Sequence, residues 1–150
     1  MARAFGATTI YIHQHDENIK KTIEEVNKRF GGDFIVSSVN NWRKLIESWN
    51  GVIVHLTMYG IPLPEVKDEI LSTINNRDLL IIVGAEKVPS DVYKKATFNV
   101  AIMNQPHSEV SSLAIFLYDL FPESMRNSLF NKSKLKIIPT AHGKKVIKNQ

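Results

Sequence analysis

Leu79-Leu80-Ile81-Ile82-Val83-Gly84 is a short, continuous apolar run that ends at a glycine. Its apolar residues are too few for a helix of ordinary length, and a glycine ends the run. A short run that is apolar at every position, rather than at alternate positions, is typical of a strand buried on both faces. Because such strands belong to parallel sheets covered by helices, this stretch predicts a sheet of that kind.

Outward from this strand, strands and helices alternate along the chain. Strands are predicted over residues 8–13, 33–39, 52–57, 79–83 and 98–103, and helices after Asp16, after Asn40 or Asn41, and over residues 64–74, 89–95 and 108–120. Asp16, one of the two Asn residues and Ser108 stand where helix N-caps belong. After Pro122 the pattern weakens to a short helix over 124–130, a strand over 135–139 and a polar end. The alternation predicts an α/β fold in which a parallel sheet is flanked by helices.

Composition excludes several classes of protein. The 150 residues include no Cys, which excludes a disulfide scaffold and thiolate catalysis and is compatible with the cytoplasm. No apolar run approaches the roughly 20 residues of a membrane-spanning helix, and no secretory signal follows Met1. Of the 19 Lys and Arg residues, seven fall in residues 122–150, which contain Glu123 as their single acidic residue. This cluster favours a polyanionic partner, although a solvated surface explains it equally well.

Three predicted loops follow strands at the edge of the sheet where ligands gather in parallel α/β folds. They span residues 55–60, 84–89 and 103–109. Neither a G-x-G-x-x-G turn nor a Walker-type phosphate loop is present, and the five His residues form no metal-binding spacing, so we predict no metal. Gly84 either admits a ligand to the backbone or only makes a turn. His107 either donates to a ligand or covers the start of a helix.

Several longer motifs resemble those of the archaeal tRNA cytidine-56 2′-O-methyltransferase family, which belongs to the SPOUT methyltransferases. The motifs are Asn41-Trp42-Arg43-Lys44, Val54-His55-Leu56-Thr57-Met58-Tyr59-Gly60, Ile81-Ile82-Val83-Gly84-Ala85-Glu86-Lys87-Val88-Pro89, Asn99-Val100-Ala101-Ile102 and Asn104-Gln105-Pro106-His107-Ser108-Glu109-Val110. The resemblance extends from Ala2 to Val146 and therefore covers nearly the whole chain.

The resemblance implies a SPOUT-type sheet with a C-terminal trefoil knot, a homodimer, a cytoplasmic location, and tRNA and S-adenosyl-L-methionine as partners, with no membrane contact. Residues 1–121 would form the methyltransferase domain, and residues 122–150 a basic extension. The implied methyl-donor site consists of Leu56, Gly84, Ala85, Glu86, Lys87, Val88, Met103, Asn104, Gln105, Pro106, His107, Ser108, Glu109 and Val110. No catalytic residue is assigned.

The chain departs from the family pattern in two places. The family usually has Gly where this chain has Met103. Family members also begin with an additional strand and an Arg-containing loop before the segment that starts here at Ala2, and Arg3, the nearest basic residue, either binds phosphate or packs. Two alternatives to an active enzyme follow: a truncated SPOUT domain that binds the donor or RNA without turnover, and an unknotted flavodoxin-like nucleotide binder.

Overall fold

The computed structural model describes residues 1–84, 87–122 and 133–149. The chain divides into two compact units: the first comprises Met1 and residues 41–122, and the second comprises residues 2–40 and the chain beyond residue 122. Within the described part, no helix is both long enough and apolar enough to cross a membrane.

The described elements follow one another in the predicted alternation. In chain order they are a 3-10 helix (Ala2–Phe5), β1 (Thr9–Ile12), α1 (Glu17–Phe30), β2 (Ile35–Ser38), α2 (Trp42–Ser48), β3 (Gly51–Pro62), α3 (Leu63–Ile74), β4 (Asp78–Val83), α4 (Ser90–Lys95), β5 (Phe98–Ala101), α5 (Glu109–Leu120), β6 (Leu135–Ile138) and β7 (Lys145–Lys148). The predicted helix over 124–130 lies outside the described residues.

Side-chain caps start three of these helices at the predicted positions. The Asp16 carboxylate accepts hydrogen bonds from the backbone N–H groups of Asn18 and Ile19 at the start of α1. The side chains of Asn41 and Ser108 accept equivalent bonds at the starts of α2 and α5. Each cap satisfies backbone donors that have no partner within the helix. The predicted helix starts are therefore confirmed.

The first unit is built on a parallel sheet with the strand order β4-β3-β5. Ile53, in the middle of β3, packs with Ile46 of α2 and Val92 of α4. Successive side chains of a strand point to opposite faces, and α3 and α5 also contact β3. Val52 and Val54, which alternate with Ile53, are both fully buried. The predicted parallel sheet flanked by helices is therefore confirmed.

The apolar run of residues 79–83, from which we predicted the sheet, is not a central strand of that sheet. We predicted that residues 79–83 form a strand buried on both faces, but every one of them is half-buried. The reason is that β4 lies at an edge of this sheet, whereas β3 is central. The long apolar run therefore indicates the correct kind of sheet but the wrong position within it.

The second unit contains two separate pairs of strands. β1 pairs with β2 in parallel, and α1 connects them. β6 pairs with β7 in an antiparallel hairpin. The described parallel strands therefore belong to two sheets rather than one. The alternation of strands and helices predicts that the strands are parallel, but it does not predict which strands pair. β7 was not predicted, because its two apolar residues, Val146 and Ile147, are a short run between lysines in a polar segment.

The predicted domain boundaries remain a prediction. The second compact unit combines residues from both sides of the predicted division between residues 121 and 122. Compactness does not reveal which residues make up a methyltransferase domain.

Candidate functional site

In the first unit, Leu56 of β3 lies between the carboxyl ends of β4 and β5. Leu56 of β3 is the register partner of Val83, the last residue of β4. On its other side Leu56 is the partner of Val100, next to the end of β5. Because parallel strands run in one direction, the chain leaves all three at the same edge of the sheet. The three loops predicted to line a site therefore start next to one another.

The segment of residues 57–60 interrupts the pairing of β3 with β5. Leu56 and Ile61 are both register partners of Val100, so the four residues between them are additional residues in β3. We predicted a loop here after the end of the strand, which is wrong, because β3 continues through these residues to Pro62 and pairs with β5 again at Ile61. The 57–60 segment is thus a bulge-like insertion anchored at both ends rather than a free loop.

Gly60 is required at the end of the 57–60 segment because no space remains for a side chain. A Cβ atom at this position would lie 2.5 Å from the carbonyl carbon and oxygen of Asn99 and from the backbone nitrogen of Val100. These are backbone atoms of β5, which cannot move aside as a flexible side chain would. The close approach of β3 to β5 therefore depends on glycine.

Asn104 connects the loop after β5 to the 57–60 segment. Its side-chain nitrogen donates to the carbonyl oxygen of Met58 at 2.8 Å and to that of Gly60 at 3.1 Å. Both N–H groups of the amide are used in this way, which leaves its oxygen for other partners. Two of the three predicted loops are therefore joined directly by a residue of the predicted donor site.

A polar network lies beneath the same segment. His55 is fully buried, and its Nδ1 atom lies 2.9 Å from Oδ1 of Asn99. The amide nitrogen of Asn99 donates to the carbonyl oxygen of Tyr93 at 2.9 Å, and the His55 and Tyr93 rings meet edge to face with centroids 4.7 Å apart. The Tyr93 hydroxyl lies 3.2 Å from the Thr57 hydroxyl. The network therefore connects α4 and β5 to the beginning of the 57–60 segment.

Burial determines the charge of His55. Loss of contact with water lowers the pKa of His55, and the hydrogen bond with Asn99 opposes this effect in part. The ring is therefore neutral near pH 7. Since it is fully buried, it cannot reach a ribose hydroxyl, and its role is structural rather than that of a base.

The predicted donor-site residues differ in their exposure to solvent. Leu56 is 6% exposed, so its side chain belongs to the core. Val88 packs against the Ile46, Ile53 and Val92 cluster, whereas Lys87 is exposed. Every residue predicted after β5 is exposed: Met103, Asn104, Gln105, Pro106, His107, Ser108, Glu109 and Val110. Gly84 is half-buried, and Ala85 and Glu86 lie outside the described residues.

Comparison with known proteins identifies the family. The sequence model of the family described as tRNA ribose 2′-O-methyltransferase, aTrm56, matches residues 30–147. The chain belongs to the aTrm56 family. Members of this family are transferases by that description. The match includes Leu56, Val83 and Val100, as well as Asn104 and Tyr93.

Several relatives in the aTrm56 family carry the same name, tRNA (cytidine(56)-2′-O)-methyltransferase. The chain is 48% identical to the protein from Thermococcus kodakarensis, over 97% of this chain and 83% of the relative. It is 48% identical to the protein from Pyrococcus horikoshii, over 99% of this chain and 74% of the relative. The protein from Sulfurisphaera tokodaii is 46% identical over 100% of this chain and 90% of its own length.

Arg3, which we considered as a phosphate ligand or a packing residue, packs within the second unit. Its Nε atom donates to the Asn27 side chain at 2.8 Å, and its Nη2 atom donates to the carbonyl oxygen of Gly31. Burial lowers the pKa of Arg3. These bonds tie the 3-10 helix to the end of α1, so the structural interpretation of Arg3 suffices.

Sequence reasoning missed the residues that support the 57–60 segment. Tyr93 received no role, and Asn99 was noted only within a motif. The signal in the sequence was weak: Asn99 is a polar residue in an otherwise apolar strand, and a buried amide requires partners. His55 and Asn99 are 44 residues apart, so their contact depends on the pairing of β3 with β5.

Among the described residues, no group of three or more His, Asp or Glu side chains could hold a metal ion.

Proposed function

We propose that this chain transfers a methyl group from S-adenosyl-L-methionine to the ribose 2′-hydroxyl of cytidine 56 in tRNA. Membership of the aTrm56 family and the shared name of the relatives support the reaction and the nucleotide. The observation that carries the proposal to particular residues is the register of the parallel sheet, which places Leu56 of β3 between Val83 at the end of β4 and Val100 near the end of β5.

The methyl donor would be held at these strand ends by the residues after them. The proposed site consists of Leu56, Gly84, Ala85, Glu86, Lys87, Val88, Met103, Asn104, Gln105, Pro106, His107, Ser108, Glu109 and Val110. Three features of the described residues fit a nucleoside ligand. Gly84 presents backbone without a side chain, the amide of Asn104 orders the neighbouring carbonyls, and the residues after β5 are exposed. Backbone groups at such an edge can bind the edge of adenine.

The chemistry requires positioning above all. When bound, S-adenosyl-L-methionine supplies a methyl group on a sulfonium, and the 2′-oxygen must approach in line behind that carbon while its proton leaves. This chain's residues would fix the donor by backbone contacts and hold the 57–60 segment in place. We assign no catalytic base. A reaction at the 2′-hydroxyl is specific for RNA, because DNA lacks that group.

A homodimer is part of the proposal, and α5 supports it. Phe116 and Leu120 on one side of this helix are buried, at 0% and 5% exposure. Ile115 and Tyr118 on the opposite side are 51% and 62% exposed. A helix that is apolar on both sides is normally covered on both. We propose that a second copy of this chain covers the exposed side.

Lysines of the β6–β7 hairpin support the proposal that tRNA is a partner. Lys136 and Lys145 lie on the same face of the hairpin, because Lys136 pairs with Ile147 and Ile138 pairs with Lys145. Both lysines are exposed. Cations fixed on one face can follow a phosphate backbone and release its counterions.

The remaining proposals follow from the family resemblance. We propose a SPOUT-type fold with a C-terminal trefoil knot, a methyltransferase domain over residues 1–121, a basic extension over residues 122–150, and a cytoplasmic location. The absence of Cys from the sequence is compatible with that location.

The test is methyl transfer to an unmodified tRNA transcript. The purified chain is incubated with the transcript and S-adenosyl-L-methionine carrying a labelled methyl group, and the modified nucleotide is located by mass spectrometry. A matched transcript with 2′-deoxycytidine at position 56 is the control. We expect one methyl group on cytidine 56 and none on the control. No transfer to the natural transcript, or equal labelling of both, would refute the proposed function.

A further inference from the structure

Tyr93 occupies a position between a buried polar pair and the 57–60 segment. It makes three different contacts: its ring meets His55, its carbonyl oxygen accepts from Asn99, and its hydroxyl lies 3.2 Å from the hydroxyl of Thr57. The contacts with His55 and Asn99 join Tyr93 to the side-chain pair that connects β3 to β5. The contact with Thr57 joins Tyr93 to the 57–60 segment. Tyr93 is therefore fixed by the sheet and is itself placed to fix Thr57.

The hydrogen-bond directions make this arrangement specific. Because the Asn99 nitrogen donates to the Tyr93 carbonyl, the Asn99 oxygen faces His55 and must accept from it. The His55 proton is thereby assigned to Nδ1, and Nε2 has no hydrogen-bond partner among the described residues. The orientation of the Asn99 amide is therefore fixed by both of its partners.

Thr57 connects Tyr93 to the backbone of the 57–60 segment. Its hydroxyl oxygen accepts from the backbone N–H of Tyr59 at 3.4 Å as well as contacting Tyr93. On the far side, Asn104 binds the carbonyl oxygens of Met58 and Gly60. The segment is consequently held from α4 at its beginning and from the loop after β5 at its end.

We propose that Tyr93 is a positioning residue for the methyl-donor site: its hydroxyl holds Thr57, and through Thr57 the whole 57–60 segment, in the conformation that binds the donor. Tyr93 does not touch the donor in this proposal. The inference rests on the proposed function only for the identity of the ligand, because the contact between Tyr93 and Thr57 belongs to the chain itself.

Substitutions can remove this contact without creating a cavity. Tyr93→Phe deletes one hydroxyl, Thr57→Val deletes the other, and Thr57→Ser keeps it. Tyr11→Phe is the matched control, since Tyr11 is exposed on β1 in the second unit. Two quantities are measured for the full chain: hydrogen exchange of the backbone amides of residues 57–60 without ligand, and the affinity for S-adenosyl-L-methionine by calorimetry.

We expect Tyr93→Phe to speed exchange in residues 57–60 and to weaken donor binding about 3- to 10-fold, the range for one neutral hydrogen bond. Thr57→Ser and Tyr11→Phe should resemble the unaltered chain. The double variant Tyr93→Phe/Thr57→Val should bind no more weakly than Thr57→Val alone, because both changes remove the same contact.

Additive losses in the double variant, or unchanged amide exchange in Tyr93→Phe, would overturn the inference. Failure of the unaltered chain to bind S-adenosyl-L-methionine would refute the proposed function instead, and the exchange measurement would still decide whether Tyr93 holds the segment. A purely structural role for Tyr93 predicts a lower unfolding temperature with unchanged donor affinity in the folded protein, and that result would also overturn the inference.

Discussion

Replacing Gly60 by Ala would place a carbon atom where the backbone of β5 already lies. The added Cβ would be 2.5 Å from three backbone atoms of Asn99 and Val100, so β3 and β5 must separate by about 1 Å to restore ordinary contact. Overpacking of this kind typically costs about 1–3 kcal/mol. For a chain of this length the unfolding midpoint would fall by roughly 2–12 °C.

The same separation would displace the 57–60 segment, because Asn104 holds the Gly60 carbonyl. We therefore expect Gly60→Ala to weaken binding of S-adenosyl-L-methionine at least tenfold, measured by calorimetry at a temperature where the variant is folded. Gly51→Ala is the matched control: its Cβ would also collide with backbone, that of Asp78, but at the opposite end of β3. It should lower the midpoint while the folded protein keeps its affinity. Equal losses of affinity in both variants, or none in Gly60→Ala, would refute the reasoning.

Three further predictions concern the buried histidine, the proposed dimer and the basic hairpin. Because burial lowers the pKa of His55, the unfolded chain takes up a proton near pH 6.5 that the folded chain excludes, so the contribution of His55 to stability is full above that pH and falls below it. Urea unfolding at pH 7.5 and 5.5 should show a smaller pH dependence of stability in His55→Asn than in the exposed control His142→Asn. An equal pH dependence in the two variants would contradict the assignment. Ile115→Glu should convert a dimer to monomers in sedimentation, because it places a charge on the exposed apolar side of α5; an unaltered dimer would remove α5 from the interface. Lys136→Glu combined with Lys145→Glu should reduce the slope of log affinity for tRNA against log salt by about two if each lysine neutralises one phosphate, and an unchanged slope would exclude the hairpin from the RNA surface.

The parts of this fold that local sequence patterns specify were predictable. Asp16 and Ser108 are N-caps because short polar side chains satisfy the free N–H groups of a first turn, a rule that needs no tertiary contact. The alternation of strands and helices likewise predicted a parallel sheet. The edge position of β4 was not predictable, since five consecutive apolar residues suit a half-buried edge strand as well as a central one.

The neighbourhood of the segments proposed to form the site was predictable, but the contacts that join them were not. Ligands of parallel sheets bind at the carboxyl ends of strands, so Leu56 and Gly84 could be placed near one another. The insertion of residues 57–60 within β3 depends on β5, which lies about 40 residues further along the chain. The same holds for Asn104 and Tyr93, whose roles appear only when distant strands pair.

The most direct test of a donor site at three neighbouring strand ends is a titration of isotopically labelled protein with S-adenosyl-L-methionine, followed by the chemical shifts of the backbone amides. We expect saturable changes concentrated in residues 56–60, 84–88 and 103–110, with one donor bound per chain. An absence of saturable binding, or changes confined to other parts of the chain, would contradict this expectation.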